Sequence, residues 1–316
     1  METLNTLVIE NTRSCNLRCK GCPTTYSTNY PAGFMPLKVF YDVIKNISPD
    51  IFPNCALMGW GEPFLDKNYL IRLKLLKQQG YKVGSTTNST LLTSKIMRSL
   101  IEEGLDQLNI SWDVFHMKAT NTTCYEMGKK LEKILNIIPQ KKSKISIMLN
   151  IVLTKSTTTL LLDILSIIKD LPIKGVGVVP LIMLPTQKLL KELIPINEMQ
   201  TMQQKTQIKF PQLTIDFPYL TPSPSDNCRS DIFKNVYITY TGEVIPCCIL
   251  AMEFPNYTFD RKKYKTSILS FGNLTKHPFY KIWNSNQYKN FRLAFKQKKR
   301  PVICNCCNVW RLLPSN

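Results

Sequence analysis

Histidine is almost missing from this chain. Only His116 and His277 occur among its 316 residues, and neither stands near the first cysteine group. A zinc site of mixed Cys and His ligands has little to draw on here. Acidic residues are also scarce, 22 against 41 Lys and Arg, which gives a formal net charge of +19. Such an excess marks either a Lys-rich surface or a face for an anionic partner: nucleic acid, phospholipid, a phosphorylated metabolite or an acidic peptide. The basic clusters Lys141-Lys142, Lys262-Lys263 and Lys298-Lys299-Arg300 are scattered and form no nucleic-acid motif, so the plain charged surface is favoured. Long apolar runs are absent too. The most apolar region, Leu160 to Leu184, is broken by Asp163, Lys169, Asp170 and Lys174, so no membrane span is expected. No basic region followed by an apolar one opens the chain, and a cytoplasmic location is expected.

Cysteine is abundant. Of eleven cysteines, nine fall into two groups, and only Cys55 and Cys124 stand alone. In a reducing compartment, clustered cysteines bind metal more often than they form disulfides. Cys55 and Cys124 read as packing residues. Met97, Met148, Met183 and Trp283 read as core.

The length suits one large domain and one small one. Over the first two-thirds, short apolar strands beginning near Thr6, Cys55, Lys82, Leu108, Lys144 and Gly175 alternate with amphipathic helices. The helices are expected at Leu37 to Ile47, Asn68 to Gln79, Ser94 to Glu103, Tyr125 to Ile138 and Thr158 to Ile168. Pro36 and Thr93 mark helix starts, Gly80 and Gly104 helix stops. Strand–helix units at this spacing predict an α/β fold with parallel strands and right-handed crossovers. Such a sheet can curl into a full or partial barrel with its active site at the strand C-terminal ends. Pro218 to Ser225 reads as a linker, dividing the chain into 1–217 and 218–316. Beyond it, Val236 to Tyr240, a Thr241-Gly242 turn and Glu243 to Ile245 predict a hairpin, and Pro278 to Phe295 a helix.

Directly after the first strand, Cys15, Cys19 and Cys22 are spaced C-x3-C-x2-C. Three thiolates on a tight loop can hold three irons of a cubane and leave the fourth open. An ordinary ferredoxin-type cluster needs a fourth cysteine close by. An open iron can bind the amino and carboxylate groups of S-adenosylmethionine and pass an electron to its sulfonium, releasing a 5′-deoxyadenosyl radical.

The chain here resembles the radical S-adenosylmethionine superfamily. Leu57-Met58-Gly59-Trp60-Gly61-Glu62-Pro63 is similar to the family's glycine-rich motif, where backbone and an acidic side chain meet the cofactor's methionine amino group. Ser85-Thr86-Thr87-Asn88-Ser89 is similar to its Thr-Asn-Gly segment, and Ile110-Ser111-Trp112-Asp113 to its Ser-x-Asp. Asn150, with the backbone around Val178, Val179 and Pro180, matches positions that complete the adenosine site. The resemblance implies a partial (β/α)6 barrel, with cofactor contacts from Gly59, Gly61, Glu62, Asn88, Ser111, Asp113 and Asn150. There are three departures. Gly21 stands where an aromatic residue usually packs on the adenine. Ser89 stands where Gly is usual. Asn121 to Glu126 occupies the region where relatives with a second cluster often carry an Arg. Competing readings make Ser111 and Asp113 a helix cap, Asn88 a turn residue and Glu62 a plain loop residue.

The second group comprises Cys228, Cys247 and Cys248, then Cys304, Cys306 and Cys307, accompanied by Phe271-Gly272-Asn273-Leu274 and Tyr280 to Ser285. It looks like the auxiliary-cluster domain called SPASM in its long form and twitch in its short one. The short form implies one auxiliary [4Fe–4S] cluster on Cys228, Cys247, Cys304 and Cys307, closed by four thiolates and suited to carrying electrons or positioning substrate. Cys248 and Cys306 could replace a neighbour or be buried thiols. Structural zinc is the competing reading for this group.

The resemblance implies a redox or bond-forming enzyme that abstracts a substrate hydrogen, in maturation of a peptide, protein, cofactor or small metabolite. It also implies an electron donor such as ferredoxin or flavodoxin. No acid or base is assigned. His116, just after the fourth strand, has the chemistry to deprotonate a substrate, yet a lone His is more often a structural residue. The competing class is a zinc-stapled, basic nucleic-acid-binding protein.

Overall fold

The computed structural model describes residues 3–27, 29, 31–138, 144–218, 220, 228–309 and 311. Six strands run parallel and in chain order: β1 (Thr6–Ile9), β2 (Asn54–Leu57), β3 (Lys82–Thr87), β4 (Gln107–Ser111), β5 (Ser146–Leu153) and β6 (Gly175–Pro180). The connections carry α1 (Leu37–Asn46), α2 (Tyr69–Gln79), α3 (Ser94–Glu102), α4 (Val114–Thr120), α5 (Cys124–Leu135) and α6 (Thr158–Ile168). After α7 (Ile196–Lys209), the two-residue strand β7 (Ile215–Asp216) pairs parallel with β6. The chain then returns to the other edge. There β8 (Asn235–Ile238) pairs parallel with β1, and β9 (Val244–Ile245) folds back antiparallel on β8. Because β7 and β9 remain edges, the sheet is a partial barrel. A separate pair, β10 (Pro255–Tyr257) and β11 (Lys263–Lys265), precedes α8 (Phe279–Trp283) and α9 (Asn286–Lys296).

Alternation within the strands sets the two faces of the sheet. Leu7, Ile9, Leu57, Leu108, Ile110 and Leu149 are buried in one core with helix residues such as Phe40, Leu73 and Leu131. The alternate set, including Val8, Ala56 and Asn109, lines open cavities on the concave side. Local signals act as expected. The Thr93 hydroxyl accepts from the Ile96 N–H at 3.2 Å, and Gly80, at φ +98°, ends α2 in the left-handed conformation that glycine adopts without strain.

Three expectations need correction. The single helix expected over Pro278 to Phe295 is two helices, because Ser285 starts a new one by accepting from the Tyr288 N–H at 3.3 Å. Helices α4 and α7 were not expected. Met199 and Met202 are the only buried apolar residues of α7, too few to make a stripe. Met148 is half-buried on the concave face rather than in the core, whereas Met97, Met183, Cys55 and Trp283 are buried. Cys124 is half-buried at the start of α5. Most of the expected linker and the Lys141-Lys142 cluster lie outside the described residues. The sheet continues past residue 217, since β8 and β9 extend it beyond β1. Among the described residues no helix is long and apolar enough to cross a membrane.

Candidate functional site

The loop after β1 is fixed from below before it reaches its cysteines. Asn11 Nδ2 donates to the Pro63 carbonyl and to Asp66 Oδ2, each at 3.1 Å, and Asp66 pairs with the buried Arg72 at 2.7 Å. The Glu62 N–H donates to the Ser14 carbonyl at 2.9 Å. Gly61 permits this approach: a Cβ there would stand 2.5 Å from the carbonyl oxygens of both Thr12 and Ser14. The Cys15 thiol then accepts from the Leu17 N–H at 3.4 Å and Asn88 Nδ2 at 3.7 Å. Cys22 Sγ lies 3.1 Å from Thr24 Oγ1, and the Cys22 N–H closes a turn onto the Cys19 carbonyl at 3.0 Å. Burial raises the Cys15 thiol. Burial, with Asp113 nearby, pushes Cys19 up to about 12. A bound electrophilic metal reverses that preference by stabilising thiolate.

Six of the seven expected cofactor contacts stand at or just after strand C-terminal ends, and Asn150 lies within β5. Glu62 is 2% exposed. It accepts from Thr87 Oγ1 at 2.7 Å, the Asn88 N–H at 2.8 Å and the Phe64 N–H at 3.3 Å. Burial still outweighs these donors and raises its pKa. In this chain Glu62 ties the end of β2 to the end of β3 and so places Asn88. Asn88 also makes the turn that its residue type suggests, its Oδ1 accepting from the Thr90 N–H at 2.9 Å. Ser111 is paired in register with Asn150, which is paired with Gly177, so two polar side chains stand side by side on β4 and β5 with a glycine next to them on β6. Asp113 is the cap of α4, accepting from the His116 N–H at 2.9 Å, and is also the acidic group nearest in effect to Cys19. Gly59 lies against Glu10 and borders the central cavity.

The departures from the family pattern have structural counterparts. Gly21 faces Phe115, whose ring carbons would stand 2.8 and 2.9 Å from a Cβ there. The ring missing from the cysteine loop is thus supplied beside it by α4. Ser89 adopts φ +59°, where glycine would be unstrained. His116 is 4% exposed, and neither ring nitrogen has a hydrogen-bond partner. Burial, with Lys130 adding to it, lowers its pKa to about 4. Nothing here equips His116 as a base for a substrate.

Cys228, Cys247, Cys304 and Cys307 line one small cavity, with apolar walls that include Ile249 and Phe291. Burial is the largest cause of their raised pKa values; neighbouring thiols add to it for Cys247, Cys304 and Cys307. Cys306 touches the same cavity, but its thiol donates to the Ile303 carbonyl at 3.1 Å. Cys248 borders a different and larger cavity. Among the described residues no three His, Cys, Asp or Glu side chains converge on a point that would hold a single ion. Thiolates around one zinc ion stand only about 3.8 Å apart. Soft sulfur donors grouped around an apolar pocket suit a thiophilic metal centre.

That larger cavity, of about 350 Å³, runs along the concave face of β1, β2 and β8 and is bordered by the auxiliary segment at Cys247 and Cys248. Its walls include Val8, Met58, Trp60, Tyr237, Cys247 and Cys248. Trp60 Nε1 donates to the Cys248 carbonyl at 2.9 Å, joining the loop after β2 to the auxiliary segment. Beneath it, buried Glu10 accepts from the Tyr237 hydroxyl at 2.7 Å and pairs with Arg13 at 3.0 Å. Sequence reasoning missed Glu10, Arg13, Trp60, Phe115 and Tyr237. Charges flanking a cysteine motif were a readable signal for the first two. The others depend on tertiary contacts.

The comparisons agree with this geometry. The model of the Radical SAM superfamily matches residues 9–185, and that of an iron–sulfur cluster-binding domain, SPASM, matches residues 228–308. The chain belongs to the radical S-adenosylmethionine superfamily. It is an enzyme that takes a [4Fe–4S] cluster and S-adenosylmethionine, with an auxiliary iron–sulfur domain. Among curated proteins it is 27% identical over 312 residues to the tungsten-containing aldehyde ferredoxin oxidoreductase cofactor-modifying protein of Pyrococcus furiosus, covering 95% of this chain and 86% of that one. It is 31% identical over 174 residues to the GTP 3′,8-cyclase of Lactiplantibacillus plantarum, covering 50% and 49%. Two solved structures share the fold. Streptococcus suis SuiB bound to S-adenosylmethionine gives a TM-score of 0.69 at 14% identity, over 98% of this chain and 72% of that one. BtrN in complex with AdoMet and 2-DOIA gives 0.58 at 16% identity, over 98% and 95%.

Proposed function

We propose that this enzyme modifies a cofactor, peptide or protein by abstracting one hydrogen from an unreactive carbon held in the central cavity. In this reading Cys15, Cys19 and Cys22 hold the first cluster, within a core domain of residues 1–217. Cys228, Cys247, Cys304 and Cys307 hold one auxiliary cluster, within residues 218–316. When bound, the first cluster and S-adenosylmethionine supply the 5′-deoxyadenosyl radical, and the electron comes from a donor such as ferredoxin or flavodoxin. The chain's own groups do the rest. Glu62, Asn88, Ser111, Asp113 and Asn150 bind and orient the cofactor. Gly59 and Gly61 let the backbone approach it. Val8, Met58, Trp60 and Tyr237 wall the substrate chamber. The observation that carries this reading is the contact of the Cys15 thiol with Asn88, at 3.7 Å, where Asn88 is itself held by the buried Glu62 at 2.8 Å. The likeness to the Pyrococcus cofactor-modifying protein favours a maturation role over a purely metabolic one. The test is anaerobic incubation of the reconstituted, reduced enzyme with S-adenosylmethionine. Formation of 5′-deoxyadenosine is expected, and its absence despite a loaded, reduced first cluster refutes the reading.

A further inference from the structure

The positive charge is not spread evenly. Residues 261–316 contain thirteen Lys and Arg and no Asp or Glu. Part of this segment forms a groove of about 670 Å³ along α8 and α9. Its floor is aromatic and apolar, with Leu4, Phe233 and Trp283, and its rim carries Lys289, Arg292 and Lys296. Among the described residues no acidic side chain lines it. Tyr280 and Leu293 are 56% and 46% exposed at its border. Arg292 is held flat, its guanidinium 3.7 Å from the Trp283 ring centre and its Nη2 donating to the Trp283 carbonyl at 2.7 Å. An apolar floor with a rim of one charge sign matches a protein partner of the opposite sign.

The other face of α9 gives the groove its meaning. Phe291 and Phe295 of the same helix wall the cavity of the auxiliary thiols. At 3.6 residues per turn, the two sets of side chains point about 130° apart around the helix axis. Groove and thiol cavity are therefore separated by roughly one helix diameter, about 10 Å. Tyr288 and Phe271, stacked at 4.0 Å between ring centres, fill the space beside it. A nucleic acid would find charge here but no reason for the buried thiols behind it.

We infer that the α8–α9 groove is the docking site for an acidic, one-electron carrier protein that reduces the enzyme through its auxiliary cluster. The inference rests on the proposed function only in requiring an auxiliary cluster on Cys228, Cys247, Cys304 and Cys307. One electron leaves the reduced carrier and enters the oxidised cluster, and no proton or group moves with it. Electrostatic attraction speeds encounter and weakens as salt rises.

The test uses the reconstituted full chain and an acidic [2Fe–2S] ferredoxin as probe. Calorimetric binding and the carrier-driven loss of visible cluster absorbance are measured for wild type, for Lys289→Glu/Lys296→Glu, and for the control Lys67→Glu/Lys74→Glu outside the groove. Arg292 is left in place to keep its stack. The groove variant should bind and be reduced by the carrier at least about tenfold more weakly at low salt, with the control changed much less. Dithionite should reduce all three alike. Equal losses in both variants, no salt dependence, or tighter binding of a DNA duplex than of ferredoxin at this groove would overturn the inference. Failure of dithionite-reduced enzyme to cleave S-adenosylmethionine would strike the proposed function and leave the docking result standing.

Discussion

Replacing Gly61 by Ala should loosen the cysteine loop. The new Cβ would sit 2.5 Å from two carbonyl oxygens, of Thr12 and Ser14, and 2.9 Å from the Thr12 carbonyl carbon. Ordinary contact needs at least about 3.4 Å, so the loop must retreat by nearly 1 Å. These are backbone atoms held by Asn11, by the Gly33 carbonyl that accepts from Thr12 Oγ1 at 2.8 Å, and by the Glu62 N–H. They cannot swing aside as a side-chain tip can. Overpacking of this kind costs about 2 to 3 kcal/mol, and the Glu62-to-Ser14 hydrogen bond would be strained as well. Gly84→Ala is the internal control, because its nearest neighbours lie 3.8 Å away. Urea unfolding of the metal-free proteins, with iron counted after reconstitution, measures both effects. Gly61→Ala should lose about 2 kcal/mol or more and bind the first cluster poorly, while Gly84→Ala should stay within about 1 kcal/mol of wild type. A Gly61→Ala protein as stable and iron-rich as wild type would refute the reasoning.

The remaining predictions concern thiols, a buried imidazole and a strained turn. Cys247→Ala should lose the auxiliary iron, whereas Cys248→Ala and Cys306→Ala should keep it; iron and sulfide analysis decides, and equal loss in all three would contradict the assignment. His116 stays neutral in the folded protein down to about pH 4, while the unfolded chain takes its proton near the ordinary value of 6.5. Stability should therefore fall by about 2 kcal/mol as pH drops from 6.5 towards 4, and His116→Leu should flatten that part of a pH–stability curve. A variant with the wild-type slope would place the effect elsewhere. Ser89→Gly should raise the melting temperature slightly, since relief of the left-handed strain at φ +59° is worth about 1 kcal/mol. A marked fall would show that the Ser89 contacts outweigh the strain.

Much of the barrel was legible because its signals are local. Strand starts at Thr6 and Gly175 were set by apolar runs, and Thr93 and Gly80 marked helix ends, one through its hydroxyl and the other through its backbone freedom. The cysteine spacings were legible for the same reason. Helix α4 was not, because Asp113 reads equally as a cofactor contact and as the cap it forms. The return of β8 to pair with β1 joins residues more than 200 positions apart, a pairing that no local period encodes. Glu62 shows the same limit. Its motif marked it as a site residue, but only the fold shows Thr87 and Asn88 donating to its carboxylate.

The central claim is that two separate thiol groups hold two separate clusters and that only the first drives radical formation. The direct measurement compares wild type with Cys15→Ala/Cys19→Ala/Cys22→Ala after anaerobic reconstitution. Iron and sulfide are counted per chain, and 5′-deoxyadenosine is assayed under reduction. The account predicts about eight irons in wild type, about four in the variant, and cleavage of S-adenosylmethionine by wild type alone. Zinc without labile sulfide, or cleavage that persists without the three cysteines, would contradict it.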